Sequence, residues 1–169
     1  MPRREANPQI PLLPSAASQI SGSEIGFKNH KLKHAEILKT LQSAPDCRPF
    51  VQIYRQEVLS IKTRTIHLLG RKSSARISNT LLGFEVKSSF KRIHCPDMVT
   101  ARYLKLFTEI GCHSIKLPYD PTVTARLIPE LESAAERLVS GTKALFPESR
   151  ELQLYVLRKL YRLIRSQLR

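Results

Sequence analysis

The segment Val99-Thr100-Ala101-Arg102 recurs 24 residues later as Val123-Thr124-Ala125-Arg126, and each copy follows an acidic residue, Asp97 or Asp120. The repeat is too short to claim a duplication, but it marks two similar helix starts. Each copy is preceded by a short apolar stretch (90–95 and 114–117) and opens an apolar series at helical spacing. Asp at the start and Pro121 in the first turn are helix-opening residues. The spacing predicts a helix burying Val99, Tyr103, Leu106, Phe107 and Ile110 and ending at Gly111. It predicts a second one burying Val123, Leu127, Leu131, Ala134, Ala135 and Leu138. A strand–helix–strand–helix order favours parallel pairing of the two strands. Both helix N-termini would then share one end of a sheet. Thr100, Thr124, Arg102 and Arg126 would lie beside free N–H groups suited to phosphate. The plainer alternative is that these are ordinary first-turn residues with solvated arginines.

The rest of the chain divides around this unit. Residues 1–30 hold Pro2, Pro8, Pro11 and Pro14 followed by Ser, Ala and Gly, the composition of a disordered arm. Residues 31–169 read as a single domain. Leu32, Ala35, Ile37, Leu38 and Leu41 predict a helix over 31–43, broken at Ala44-Pro45-Asp46. Pro49, Val51, Tyr54, Val58 and Ile61 predict another, to about residue 62. Residues 63–69 read as a strand stopped by Gly70, 71–74 as a turn, and 75–77 and 81–87 as short strands joined at 78–80. A single longer helix through 51–69 is the competing reading. At the C-terminus, 149–169 reads as an amphipathic helix. Leu152, Val156, Leu160 and Ile164 lie on one face, and Arg158, Lys159, Arg162, Arg165 and Arg169 fall mostly elsewhere. The expected fold is α/β or α+β: a small mixed sheet of four or five strands flanked by helices, with a basic amphipathic C-terminal helix.

With 169 residues, one domain is the expected scale. No apolar run approaches the roughly 18 residues of a membrane span. Met1-Pro2-Arg3-Arg4-Glu5 lacks an apolar signal core, and Glu5 and Glu24 interrupt any transit-peptide pattern. Three cysteines, Cys47, Cys95 and Cys112, make no disulfide framework, so a reduced, cytoplasmic or nucleoid-associated protein is expected.

The formal net charge of +14 is unevenly placed. Residues 31–97 carry thirteen Lys and Arg against five Asp and Glu, and 141–169 carry seven against two; 98–140 are balanced at five each. A localised basic excess is the footprint expected for a polyanion such as nucleic acid, although it also serves solubility. The C-terminal helix is expected to dock on the core and show its basic side to phosphate, and could equally bind an acidic protein or a membrane surface.

His94-Cys95 and Cys112-His113 resemble four zinc ligands in type. A helix over 98–110 would hold the two pairs about 20 Å apart, too far for ligands that must all lie within ~2.3 Å of one ion. No zinc site is expected, and no resident cofactor. Neither a Ser–His–Asp nor a Cys–His pattern is visible, and the chain has no Gly-rich phosphate loop.

Leu82-Gly83-Phe84-Glu85-Val86-Lys87-Ser88-Ser89 places Glu85 and Lys87 on one face of a strand, because strand side chains alternate. With the order helix, three strands, helix, strand over roughly residues 50–118, this motif is similar to the third-strand motif of the PD-(D/E)XK nuclease superfamily, as in archaeal Holliday-junction resolvases. The resemblance implies a nuclease-like core with Glu85 and Lys87 as candidate catalytic residues and Mg²⁺ as the metal. In that family an Asp on the preceding strand shares the metal. Here that region reads Arg71-Lys72-Ser73-Ser74-Ala75-Arg76, and no Asp or Glu lies between Glu57 and Glu85. Mg²⁺ is commonly held by one or two carboxylates, so Glu57 or Asp97 would have to move into the role.

Three readings follow. The leading one is a nucleic-acid-binding protein, for DNA in particular, on a nuclease-like fold with an incomplete metal site. Its contacts would come from Arg71, Lys72, Arg76, Lys87, Lys91, Arg92, Arg102 and Arg126. The second is a divergent Mg²⁺-dependent nuclease using Glu85 and Lys87. The third is a regulatory adaptor that binds an acidic protein through the helix 149–169.

Overall fold

The computed structural model describes residues 48–168. The arm expected at 1–30, the helix expected over 31–43, Cys47 and Arg169 lie outside the described residues. The described residues open with α1 (Phe50–Ile53), which widens into a π-type turn through Tyr54–Val58, where the Leu59 N–H donates to the Tyr54 carbonyl at 3.3 Å. It continues through β1 (Thr63–His67), β2 (Ala75–Thr80), β3 (Gly83–Ser88), β4 (Arg92–Cys95), α2 (Met98–Ile110), β5 (Ser114–Pro118), α3 (Pro121–Leu145) and α4 (Arg150–Gln167). The β1 strand rules out one continuous helix through 51–69. None of the described helices is long and apolar enough to cross a membrane.

Helices and strands are mixed as expected, but among the described residues the strands form two antiparallel sheets instead of one mixed sheet. One sheet pairs β1 with β5, Thr63 opposite Pro118 and His67 opposite Ser114. The other is a β2–β3–β4 meander, Ala75 opposite Ser88 and Lys87 opposite Arg92. The parallel pairing expected from the repeat is therefore absent: β4, before α2, and β5, before α3, belong to different sheets. The reason lies on the side of β5 away from β1. There the Lys116 N–H donates to Tyr54 Oη at 2.7 Å, and Tyr103 Oη donates to the Lys116 carbonyl at 2.8 Å. Two tyrosine hydroxyls occupy the backbone groups that a second neighbouring strand would need.

The core lies between the sheets and the helices. Phe107 of α2 is wholly buried, with ring centroids of Phe50, Tyr54 and Tyr103 at 5.6, 5.4 and 4.8 Å. The three long helices are capped as their sequences require. Asp97 accepts from Thr100 N at 2.6 Å, Asp120 from Thr122 N at 2.8 Å, and Ser149 from Leu152 N at 3.2 Å. Gly111 ends α2 at φ +87°, and a Cβ there would lie 2.5 Å from Lys72 N. Arg165 of α4 donates to the Ile110 carbonyl at the same helix end, at 2.9 Å. The C-terminal helix docks on the core through Val156, Leu160, Tyr161 and Ile164.

Candidate nucleic-acid interface

Period-two alternation gives the β2–β3–β4 sheet two unlike faces. Ala75, Val86 and Cys95 are buried on the inner face, with Ile77, Phe84 and Ile93 packed against the core beside them. The outer face carries the opposite set. Register places Arg76 directly opposite Lys87, and Lys87 directly opposite Arg92, so three exposed basic residues form one row across the sheet. At neighbouring strand spacings of about 4.8 Å, the outer two of the row stand roughly 10 Å apart. Toward the β2–β3 turn the next row is Ser78, Glu85 and His94.

Few acids neutralise the basic row. Among the described residues no carboxylate lies within ion-pair distance of Arg76 or Arg92, and Lys87 meets only Glu85, at 3.4 Å. Ser78 Oγ is buried without a hydrogen-bond partner among the described residues.

The remaining candidate residues are placed elsewhere or engaged differently. Arg71 is exposed in the turn after β1, with no ion-pair partner among the described residues. Lys72 Nζ sits 4.8 Å from the centre of the Tyr161 ring, and burial, then the nearby Arg158, holds its pKa below the usual lysine value. Lys91 Nζ donates to the His67 carbonyl at 2.8 Å, tying the end of the three-stranded sheet to β1. Arg102 forms a two-pronged pair with Glu132 of α3, and Arg126 Nη2 meets Glu57 at 3.0 Å.

The shared phosphate site expected at the two helix N-termini loses its premise with the parallel pairing. Its groups are also occupied, since Thr100 N and Oγ1 both bond Asp97, and Thr122 N bonds Asp120.

The donor set does not suit Mg²⁺. Glu85 is the sole carboxylate on the outer face of the three-stranded sheet, and Lys87 stands against it. Glu57 is held between Arg48, at 2.7 Å, and Arg126, and its hydrogen bond to Arg48 keeps its carboxyl below the usual range. Asp97 caps α2. No group of three His, Cys, Asp or Glu gathers in metal-binding geometry among the described residues. Cys95 and Cys112 are buried at opposite ends of α2, and burial pushes their thiols up to about 11 and about 12.

Two features escaped the sequence reading. His94 joins the outer face through its register with Glu85, a pairing that only the β3–β4 ladder reveals. Leu81 and Leu82, read as strand residues, form the tip of the β2–β3 hairpin instead. Thr80 pairs with Gly83, whose φ of +123° closes the turn, and a Cβ on Gly83 would lie 2.8 Å from the Cys95 carbonyl oxygen. Gly83 was the available signal, since a strand glycine often marks a turn or a close backbone approach.

The chain matches no protein-family model, and neither the curated proteins nor the solved structures compared with it give a match.

Proposed function

We propose that this protein binds nucleic acid, DNA in particular, by laying the outer face of the β2–β3–β4 sheet on the phosphate backbone. The observation that carries this reading is the row Arg76–Lys87–Arg92, whose outer members have no carboxylate partner among the described residues. Like charges directly opposite one another across a sheet destabilise it. Such a row has a physical rationale when it meets a polyanion. Lys and Arg on phosphates give affinity and orientation without reading sequence, and the opposite face, packed on the core, holds the row rigid.

The test is fluorescence anisotropy of labelled duplex, single-stranded and branched DNA across a salt series. Three phosphate contacts predict a log–log slope near −2.7 for duplex, about a 40-fold loss of affinity between 50 and 200 mM salt. Replacing Arg76, Lys87 and Arg92 together by Ala should flatten the slope by about that amount. Absence of binding by the wild-type protein at low salt would overturn the proposal. If Mg²⁺-dependent cleavage is seen and Glu85→Ala abolishes it without unfolding the protein, the nuclease reading replaces the binding one.

A further inference from the structure

The β2–β3 hairpin ends in two leucines that do no work for the fold. Leu81 is fully exposed and Leu82 is 82% exposed, and neither belongs to the core. Two-residue hairpin turns favour Asn, Asp and Gly, whose backbones adopt the required conformations readily. A pair of leucines there has no conformational rationale and leaves apolar surface in water. Beneath the tip a shallow depression is lined by Thr80, Leu81, Leu82, Glu85 and His94.

From these observations, and resting on the nucleic-acid reading above, we infer that Leu81 and Leu82 are a wedge that enters between base pairs of duplex DNA and kinks it while Arg76, Lys87 and Arg92 hold the flanking phosphates. Apolar side chains at a protruding tip are the groups by which proteins unstack a base step, and the unstacking is offset by the additional backbone contacts that a bent duplex makes. The spacing suits this arrangement. The row lies five residues from the tip along both strands, roughly 16 Å at 3.3 Å per residue. A groove bottom and the backbone of a bent duplex can be reached together across that separation.

Geometry favours a duplex over a lipid surface. The residues flanking the tip, Asn79, Thr80, Gly83 and Phe84, are uncharged. The cations project sideways from the sheet face, not along the hairpin. A flat bilayer meeting the tip would not meet the row, and one lying along the face would leave the tip outside. A grooved, bendable polyanion meets both.

The experiment compares the full chain with the double variant Leu81→Ser/Leu82→Ser on a duplex carrying 2-aminopurine at successive positions and a donor–acceptor dye pair at its ends. Wild type should raise 2-aminopurine emission severalfold at the wedge position and shorten the end-to-end distance. The double variant should lose both signals while still binding DNA in a salt-dependent way through Arg76, Lys87 and Arg92. Since both leucines are exposed, its thermal unfolding should match wild type. Wild-type binding with no unstacking and no bending would overturn the wedge and leave the nucleic-acid reading standing. No binding to any DNA at low salt would overturn both. Leucine-dependent binding to phosphatidylserine vesicles, with no unstacking of DNA, would also overturn the wedge.

Discussion

The arginines of the two helices that follow the strands differ sharply from those of the three-stranded sheet. Arg102 on α2 and Arg126 on α3 come from the repeated Val-Thr-Ala-Arg segment, and both are tied to acids from other elements, Glu132 and Glu57. Arg76 and Arg92 on β2 and β4 have no such partners among the described residues, and Lys87 stands between them. Residues of one charge type thus have two roles. Arg102 and Arg126 fasten helical elements together through Glu132 and Glu57. Arg76, Lys87 and Arg92, whose face of the sheet carries Glu85 as its one carboxylate, form a positive row. Net charge alone does not distinguish a structural arginine from one available to a ligand; the partner across the fold does.

This contrast can be tested by experiments of decreasing expected effect. Phe107→Ala removes the ring around which Phe50, Tyr54 and Tyr103 gather, and should cost about 3–5 kcal/mol by denaturant titration. It should leave any DNA affinity of the still-folded fraction unchanged. Next is the comparison of arginines. The Ala triple at Arg76, Lys87 and Arg92 should lose the salt-dependent affinity, whereas Arg102→Ala/Arg126→Ala should leave it within about twofold and lower thermal stability instead. A loss of DNA affinity in the second variant would erase the distinction between the two regions.

Tyr103→Phe should cost about 1 kcal/mol, because it leaves the Lys116 carbonyl without its hydroxyl donor. The pH dependence gives a further check on the helical region. Glu57 titrates below its ordinary value because Arg48 bonds it. Its contribution to stability is therefore complete above about pH 4.5 and fades as pH falls through the lower folded-state value. Glu57→Gln should accordingly flatten the acid limb of a stability–pH profile. The smallest effect should have the opposite sign. Arg92→Thr removes one like charge opposite Lys87 and should raise stability by roughly 0.2–0.5 kcal/mol while weakening DNA binding. Stability gained as binding is lost would mark the row as a functional rather than a structural feature.

Much of the fold was legible because its signals are local. Asp97, Asp120 and Ser149 announced three helix starts and Gly111 one helix end, since capping involves groups within a few residues of one another. The apolar spacing of α2 and α4 identified the faces that dock. Boundaries were less secure where two local rules competed. The β2–β3 turn fell at Leu81-Leu82 instead of Ser78-Asn79-Thr80, because the positive φ of Gly83 and its close approach to Cys95 outweighed the turn preference of Ser and Asn. The sequence named the candidate basic residues together and could not sort them by partner. Lys72 against Tyr161, Lys91 on the His67 carbonyl, Arg102 with Glu132 and Arg126 with Glu57 are pairings at long sequence separation.

The sequence by itself determined where the three long helices begin, where α2 ends, and that positive charge concentrates before residue 98 and after residue 140. Each of these depends on interactions between near neighbours or on composition. Only the tertiary structure decided that the strands form two antiparallel sheets. It also decided that Tyr54 and Tyr103 close the outer side of β5, and that Arg76, Lys87 and Arg92 share a row. Strand register and hydroxyl-to-backbone bonds depend on which distant groups meet, and no local propensity encodes that choice.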